Sequence, residues 1–232
     1  MKHCAVEVYF KKAIFIIAAT SVCLSVNAED AAVDGKKEAE SSKVLPIVEV
    51  LNTSQALWLQ WKNYTDDDVI TEDGSHINLS AIDIDLTQRC TFILMYNITE
   101  TDTFFYWNTI VNSEMIRSVY YGKFFGEERD ALGSMNVTDL SEEEKEPFEI
   151  MKLKYRGDGC SVFFLYSLTE DGATGCELYL QNDKVVSGPS KECAEYYCKN
   201  CLIQNTVYEA TCPAKVKQAE EHLKKILNEE SR

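Results

Sequence analysis

Apolar and polar residues alternate with two different periods along the chain, one typical of strands and one typical of helices. Residues 46–52 place Ile47, Val50 and Leu51 on one face, which predicts a short helix. From Leu57 the side chains alternate as they do in a half-buried strand, with Leu57, Leu59 and Trp61 on one face and Trp58, Gln60 and Lys62 on the other. Further strand-like runs, divided by turn residues, cover 90–98, 103–111, 115–125, 148–155, 161–168 and 176–181. Short strands between tight turns predict an antiparallel sandwich or barrel.

After Pro189 the period changes to that of a helix. Ser190 is suited to cap a helix that carries Cys193, Tyr196 and Tyr197. A second, charge-rich amphipathic helix is predicted over 213–232, and its apolar face consists of Val216, Ala219, Leu223, Ile226 and Leu227.

The start of the chain has the pattern of a targeting signal. Three lysines among the first twelve residues precede a small and apolar run over 13–26, and a small residue, Ala28, fits the cleavage position. The run is shorter than the ~20 residues that a membrane-spanning helix needs. We therefore expect a signal peptide over 1–28, a flexible leader over 29–44, and a secreted chain that is not anchored in a membrane.

Glycosylation sequons agree with secretion. Five Asn-x-Ser/Thr sites without proline exceed the one or two that chance would give in a chain of this composition, roughly estimated. The predicted glycosylation sites are Asn52, Asn63, Asn78, Asn97 and Asn136.

The composition limits the classes of ligand or partner that the protein is expected to bind. The formal net charge of -15 argues against a nucleic-acid partner, which requires a basic face, and favours cationic ligands or simple solubility. The 12 Tyr, 10 Phe and 3 Trp suit a core or a small-molecule cavity. Motifs for hydrolases, metalloproteases and phosphate loops are not found. We expect a monomer that is not an enzyme and that needs no metal and no cofactor.

Cysteines indicate an oxidising compartment. Cys4 and Cys23 would leave with the signal, and the seven that remain read as disulfides with one left over. Cys198 and Cys201 have the spacing of a redox or zinc pair, but neither a second close pair nor a βαβ pattern accompanies them.

Several stretches together resemble one family. They are LWLQWKNYT, RCTFILMYN, GDGCSVFFLYS, GCELYLQN, ECAEYYCKNC and YEATC, in this order over roughly 45–212. The combination resembles the tick salivary lipocalins, the group that includes the tick histamine-binding proteins. The resemblance implies an all-β fold: an eight-stranded antiparallel lipocalin barrel with a short N-terminal helix and C-terminal helices.

The resemblance also implies a disulfide pattern. It pairs Cys90 with Cys212, Cys160 with Cys193, and Cys176 with Cys201. Cys198 would then be a free thiol or would bond another chain. The alternative that Cys198 rather than Cys201 pairs with Cys176 stays open, because connectivity cannot be read from sequence.

Candidate ligand-binding residues follow from the same resemblance. Tyr64 and Asp67 match a Tyr-x-x-Asp spacing, and Glu177 matches a ligand-binding Glu in a Cys-Glu-Leu strand. Phe148 matches a cavity Phe and Glu114 a further cavity acid. Two positions depart from the family pattern: Ser161 stands where two-site relatives carry an acid, so any second site should be weak, and Tyr179 replaces a Trp.

Three functions are consistent with the sequence. The first is sequestration of a host biogenic amine, histamine or serotonin, which suppresses host inflammation. The second is transport of a lipid mediator such as a leukotriene, thromboxane or fatty acid, and the third is inhibition of complement or coagulation through outer loops. Acids facing into the barrel would favour amines, and bases would favour lipids; the candidate bases are Lys62, Arg117 and Lys154. A filled barrel would favour the third function.

Overall fold

The computed structural model describes residues 2–3, 44–65, 68–70, 76–78, 88–127, 130–143, 145–169 and 172–230. Residues 1–5 and 44–232 form one compact unit, and the second unit, 6–43, lies outside the described residues. The predicted signal peptide and leader therefore fall outside the description, apart from Lys2, His3 and Val44.

Three helices and twelve strands make up the described chain. The helices are α1 (Pro46–Leu51), α2 (Lys191–Cys201) and α3 (Cys212–Glu230). The strands are β1 (Lys2–His3), β2 (Leu57–Lys62), β3 (Asp68–Ile70), β4 (His76–Asn78), β5 (Arg89–Ile98), β6 (Asp102–Val111), β7 (Glu114–Glu127), β8 (Asp130–Asp139), β9 (Pro147–Gly157), β10 (Cys160–Ser167), β11 (Thr174–Gln181) and β12 (Ile203–Thr206).

Eight of these strands close into an antiparallel barrel. Neighbouring strands from β5 to β11 pair in sequence order, β11 pairs with β2, and β2 pairs with β5 to complete the ring. The two-residue β1 pairs with β12, which lies beside the end of β2, and β3 and β4 form a separate two-stranded sheet. The barrel with its helices has the arrangement of the lipocalin fold, so the predicted fold class is confirmed.

The helices cover the barrel in two ways. α1 packs its buried residues Ile47, Val48 and Leu51 against the interior core. α2 and α3 belong to a second apolar cluster on the outer side of the barrel wall, which includes Tyr197 and Ala219. The predicted cap of α2 is present, since Ser190 Oγ accepts a hydrogen bond from the Cys193 N–H at 3.3 Å. None of the described helices is long and apolar enough to cross a membrane.

A β-bulge in β2 changes which residues face inward. Leu57 and Leu59 belong to the interior core and Trp58 to the outer cluster, as alternation predicts. The register then shifts by one, because Tyr179 pairs with Leu59 while Leu178 pairs with Trp61. Trp61 therefore packs outside, with its ring 5.5 Å from that of Tyr197. The sequence pattern, which placed Trp61 with Leu57 and Leu59, is wrong at this position.

Three disulfides fasten α2 and the start of α3 to the wall. Their Cα–Cα distances are 5.2, 6.5 and 5.8 Å, within the usual range, for Cys90–Cys212, Cys160–Cys193 and Cys176–Cys201 respectively. The three predicted pairs are confirmed.

The expectation of a spare thiol is wrong for this structure. Cys198 is also disulfide-bonded, and its partner is not among the described cysteines. The predicted pairing considered only the seven cysteines after the signal peptide. Cys4 and Cys23 belong to the predicted signal peptide and lie outside the described residues.

Candidate ligand-binding cavity

One end of the barrel holds a cavity of about 260 Å³. All eight barrel strands contribute side chains to its wall. Its walls are mainly aromatic and aliphatic, and two carboxyl side chains reach them. The lining residues are Leu59, Tyr64, Gln88, Ile93, Phe105, Trp107, Tyr120, Val137, Phe148, Glu149, Met151, Leu165, Glu177 and Tyr179. A small, mostly apolar cavity with few polar groups is typical of a small-molecule site.

Glu177 is the more buried of the two acids, with 5% of its surface exposed. Strand alternation directs it and Tyr179 inward, while Cys176 and Leu178 join the outer cluster. Its Oε1 accepts a hydrogen bond from the Tyr64 hydroxyl, and its Oε2 accepts one from the Tyr179 hydroxyl at 2.7 Å. Each carboxylate oxygen has two acceptor positions, so these two hydrogen bonds do not by themselves use the full acceptor capacity of Glu177.

Glu149 is the second acid, and the sequence analysis did not select it. It lies near the start of β9 on the same face as Met151 and Leu153, which are buried in the barrel interior. Burial, and then the nearby charge of Glu177, raise the pKa of Glu149 to about 8. Among the described residues, none donates a hydrogen bond to its carboxyl group or forms an ion pair with it.

Burial also raises the pKa values of tyrosine side chains near the two acids. Desolvation, followed by the charge of Asp139, raises the pKa of Tyr120 to about 12. The pKa of Tyr179 is raised well above its usual value, first by burial and then by the charge of Glu177. These phenols therefore stay protonated at neutral pH and act as hydrogen-bond donors or aromatic surfaces.

The structure brings some of the predicted ligand residues together and not others. Glu177, Tyr64 and Phe148 all line the cavity. Glu114 is exposed at the start of β7 and does not line it, because the β6–β7 hairpin directs it to solvent. Asp67 lies outside the described residues.

The candidate bases differ in position. Lys62 is 4% exposed and pairs in register with Glu177, and its Nζ lies 4.8 Å from the centre of the Tyr64 ring. Arg117 donates from Nε to Asn108 Oδ1 at 2.7 Å and lies 3.6 Å from Glu220 of α3, so it faces outward. Lys154 is the extra residue of a β-bulge opposite β10 and is not a lining residue.

A second hollow, of about 310 Å³, lies at the α1 end of the barrel. Ser161 contributes to its wall, as do Glu49 and Arg156, which form an ion pair with each other. This acid is therefore already neutralised, and Ser161 adds no charge for a cation. Among the described residues, no cluster of three or more His, Cys, Asp or Glu is placed to hold a metal ion.

The sequons have different surroundings. Asn52 and Asn97 are exposed. Asn63 is half-buried, and its Oδ1 accepts a hydrogen bond from the Cys176 N–H at 2.8 Å. Asn136 is half-buried on β8, and the side-chain surroundings of Asn78 lie outside the description. Glycosylation at these five sites stays a prediction.

No family model matches the chain, and no curated protein matches it. Among solved structures it is similar to Japanin from Rhipicephalus appendiculatus bound to cholesterol, with 11% identity over 68% of this chain and 94% of that one and a TM-score of 0.44. It is also similar to the siderocalin Ex-FABP, described as having dual ligand specificities, with 9% identity over 68% and 93% and a TM-score of 0.42. Neither likeness assigns a ligand to this chain.

Proposed function

We propose that the barrel binds a small organic cation with an aromatic ring, a biogenic amine of the histamine or serotonin kind, and that the protein sequesters this amine outside the cell. The observation that carries the proposal is the buried carboxyl group of Glu177 inside an aromatic cavity. A carboxylate binds an ammonium group by charge-assisted hydrogen bonds, and aromatic faces attract both the ring and the charge.

The balance of charge on the cavity wall supports a cation. Two carboxyl groups line it, those of Glu149 and Glu177, and no Lys or Arg is among its lining residues. The net charge of -15 would also favour the approach of cations. The three disulfides are typical of extracellular proteins and fit the proposed secretion.

The test is isothermal titration calorimetry of the purified protein with histamine, serotonin, a leukotriene and a long-chain fatty acid. Wild type should bind at least one amine at micromolar concentration. Glu177→Gln should weaken that binding by about ten- to a hundredfold, the value of one charge-assisted hydrogen bond. The matched control is Glu146→Gln, an exposed acid outside the cavity, which should bind as wild type does.

Binding of a leukotriene or fatty acid without amine binding would contradict the proposal. One observation favours that second function: Lys62 is buried on the inner side of β2, and its positive charge would attract a lipid carboxylate. Lys62 is not a lining residue of the cavity, however, whereas both acids are. The amine is therefore the better supported ligand. Inhibition of a protein cascade is the least supported function, because the barrel is not filled.

A further inference from the structure

Glu149 differs from the other cavity acid in its hydrogen bonding. It lines the cavity, but no described residue donates a hydrogen bond to its carboxyl group. Glu177, in the same cavity, has a tyrosine hydroxyl on each oxygen. The carboxyl group of Glu149 has neither a hydrogen-bond donor nor a cation among the described residues. A polar group that is half-buried and unpaired carries a desolvation cost, which a ligand can remove by pairing with it.

The neighbours of Glu149 favour the neutral, protonated form of its carboxyl group. Val137 and Met151 give it apolar surroundings, and Glu177 supplies a like charge. A carboxyl group in such a place takes up a proton, because the neutral acid avoids both the burial and the repulsion. An entering cation reverses both effects, since it pairs with the carboxylate and screens it from Glu177.

We propose that Glu149 is a second ligand-binding carboxyl group of the cavity, and that a cationic ligand displaces a proton from it on entry. The inference rests on the proposed amine-binding function and adds to it a residue and a coupled proton. The ligand ammonium takes the place of the carboxyl proton, which leaves to solvent, so charge in the cavity is unchanged by binding.

Other titratable groups face the same space. They are Glu177 and Tyr179 on β11, Tyr120 on β7 and Tyr64 after β2, with Asp139 near Tyr120 and Lys62 opposite Glu177 in the strand register. Burial raises the pKa of Tyr120 to about 12 and raises that of Tyr179 well above its usual value, so both keep their protons near neutral pH. These two phenols thus do not supply the proton near neutral pH, whereas the Glu149 carboxyl group, with a pKa of about 8, titrates there.

The experiment is calorimetry of wild type and Glu149→Gln with serotonin and with histamine at pH 7, in buffers of different ionisation enthalpy. The dependence of the observed heat on the buffer gives the number of protons released. Wild type should release about one proton more per ligand than Glu149→Gln, and the difference between the two proteins cancels protonation changes of the ligand itself. Wild-type affinity should rise between pH 6 and pH 8, and this rise should be absent in the variant.

The outcomes separate the inference from the function on which it rests. Amine binding with equal proton release in both proteins would overturn the role of Glu149 and leave amine binding intact. Absence of amine binding in wild type would overturn both. A carbon-13 NMR titration of labelled glutamate side chains gives an independent readout in the empty protein, where one resonance should titrate near pH 8 and be absent from Glu149→Gln. Titration of all resonances below pH 6 would also overturn the inference.

Discussion

Glu177 and Tyr179 lie two residues apart on β11 and hydrogen-bond to each other inside the barrel, with 2.7 Å between the tyrosine oxygen and Oε2. Residues at this spacing share a face of a strand, so the pairing follows directly from the pleat. Tyr64 holds the other oxygen from the segment after β2. The carboxylate is thereby fixed in position before any ligand arrives, which lowers the cost of ordering it on binding.

Tyr179→Phe tests how much this arrangement contributes. The change keeps the ring in the core and removes the hydroxyl that donates to Oε2. We expect the free energy of unfolding, from chemical denaturation, to fall by about 1–3 kcal/mol, because a buried carboxyl group loses one of its hydrogen bonds. Tyr96→Phe is the control: Tyr96 is 53% exposed, and its loss of a hydroxyl should change stability by less than about 0.5 kcal/mol. Equal effects of the two variants would contradict this account of Glu177.

Gly133→Ala should disrupt the contact between β8 and α1. Gly133 has φ +90°, and a Cβ there would lie 2.8 Å from Ile47 Cγ2. We expect a loss of about 1–3 kcal/mol or more in unfolding free energy, from backbone strain together with crowding of α1. Gly172→Ala separates the two causes, since its φ is +57° but its Cβ would meet nothing within 4 Å. If Gly133→Ala were no more costly than Gly172→Ala, the packing of α1 on β8 would not depend on the missing Cβ.

The same glycine explains one limit of the sequence analysis. Alternation and turns revealed seven of the eight barrel strands, but not β8, whose sequence DALGSMNVTD is poor in β-branched and aromatic residues. Its interior positions hold Met135 and Val137. Gly133 is needed because α1 packs closely against it, and a tertiary contact of this kind cannot be inferred from the strand propensity of the local sequence. The eight-strand count came from the family resemblance. The bulge in β2 was also missed, because alternation assumes an unbroken register.

The cavity was predicted in part. Glu177, Tyr64 and Phe148 were found through the resemblance, and the structure places all three on its wall. Glu149 was missed although a signal existed: it is an acid in phase with Met151 and Leu153, two apolar residues of the same strand. Phe148 and Glu149 are adjacent and would face opposite sides of an ideal strand, yet both line the cavity near the start of β9. The alternation of apolar and polar residues assumes regular strand geometry, so it cannot predict an irregularity at a strand end.

Glu149 should also make stability depend on pH. Its pKa is 4.5 when unperturbed and about 8 in the folded protein, so the folded state binds more protons between these values. Stability should therefore fall as pH rises from about 4.5 to about 8, by up to a few kcal/mol from this group. Thermal melts of Glu149→Gln and wild type between pH 4 and pH 9 should diverge, with the variant relatively more stable toward pH 8. A constant difference across this range would show that Glu149 titrates normally.

Lys62→Met separates the two candidate ligand classes by the sign of its effect. Lys62 pairs in register with Glu177 and is buried on the inner side of β2, so its positive charge opposes a cation near Glu177 and attracts an anion. If the ligand is an amine, the variant should bind it about two- to tenfold more tightly, a modest change because charges inside proteins are partly screened. If the ligand is a lipid carboxylate, the same variant should bind it more weakly. Lys145→Met makes the same change in net charge at an exposed position and should leave both affinities as they are. The measurement is calorimetry of wild type and the two variants with serotonin and with a fatty acid. Weaker amine binding by Lys62→Met would contradict the assignment of Glu177 as the ammonium partner.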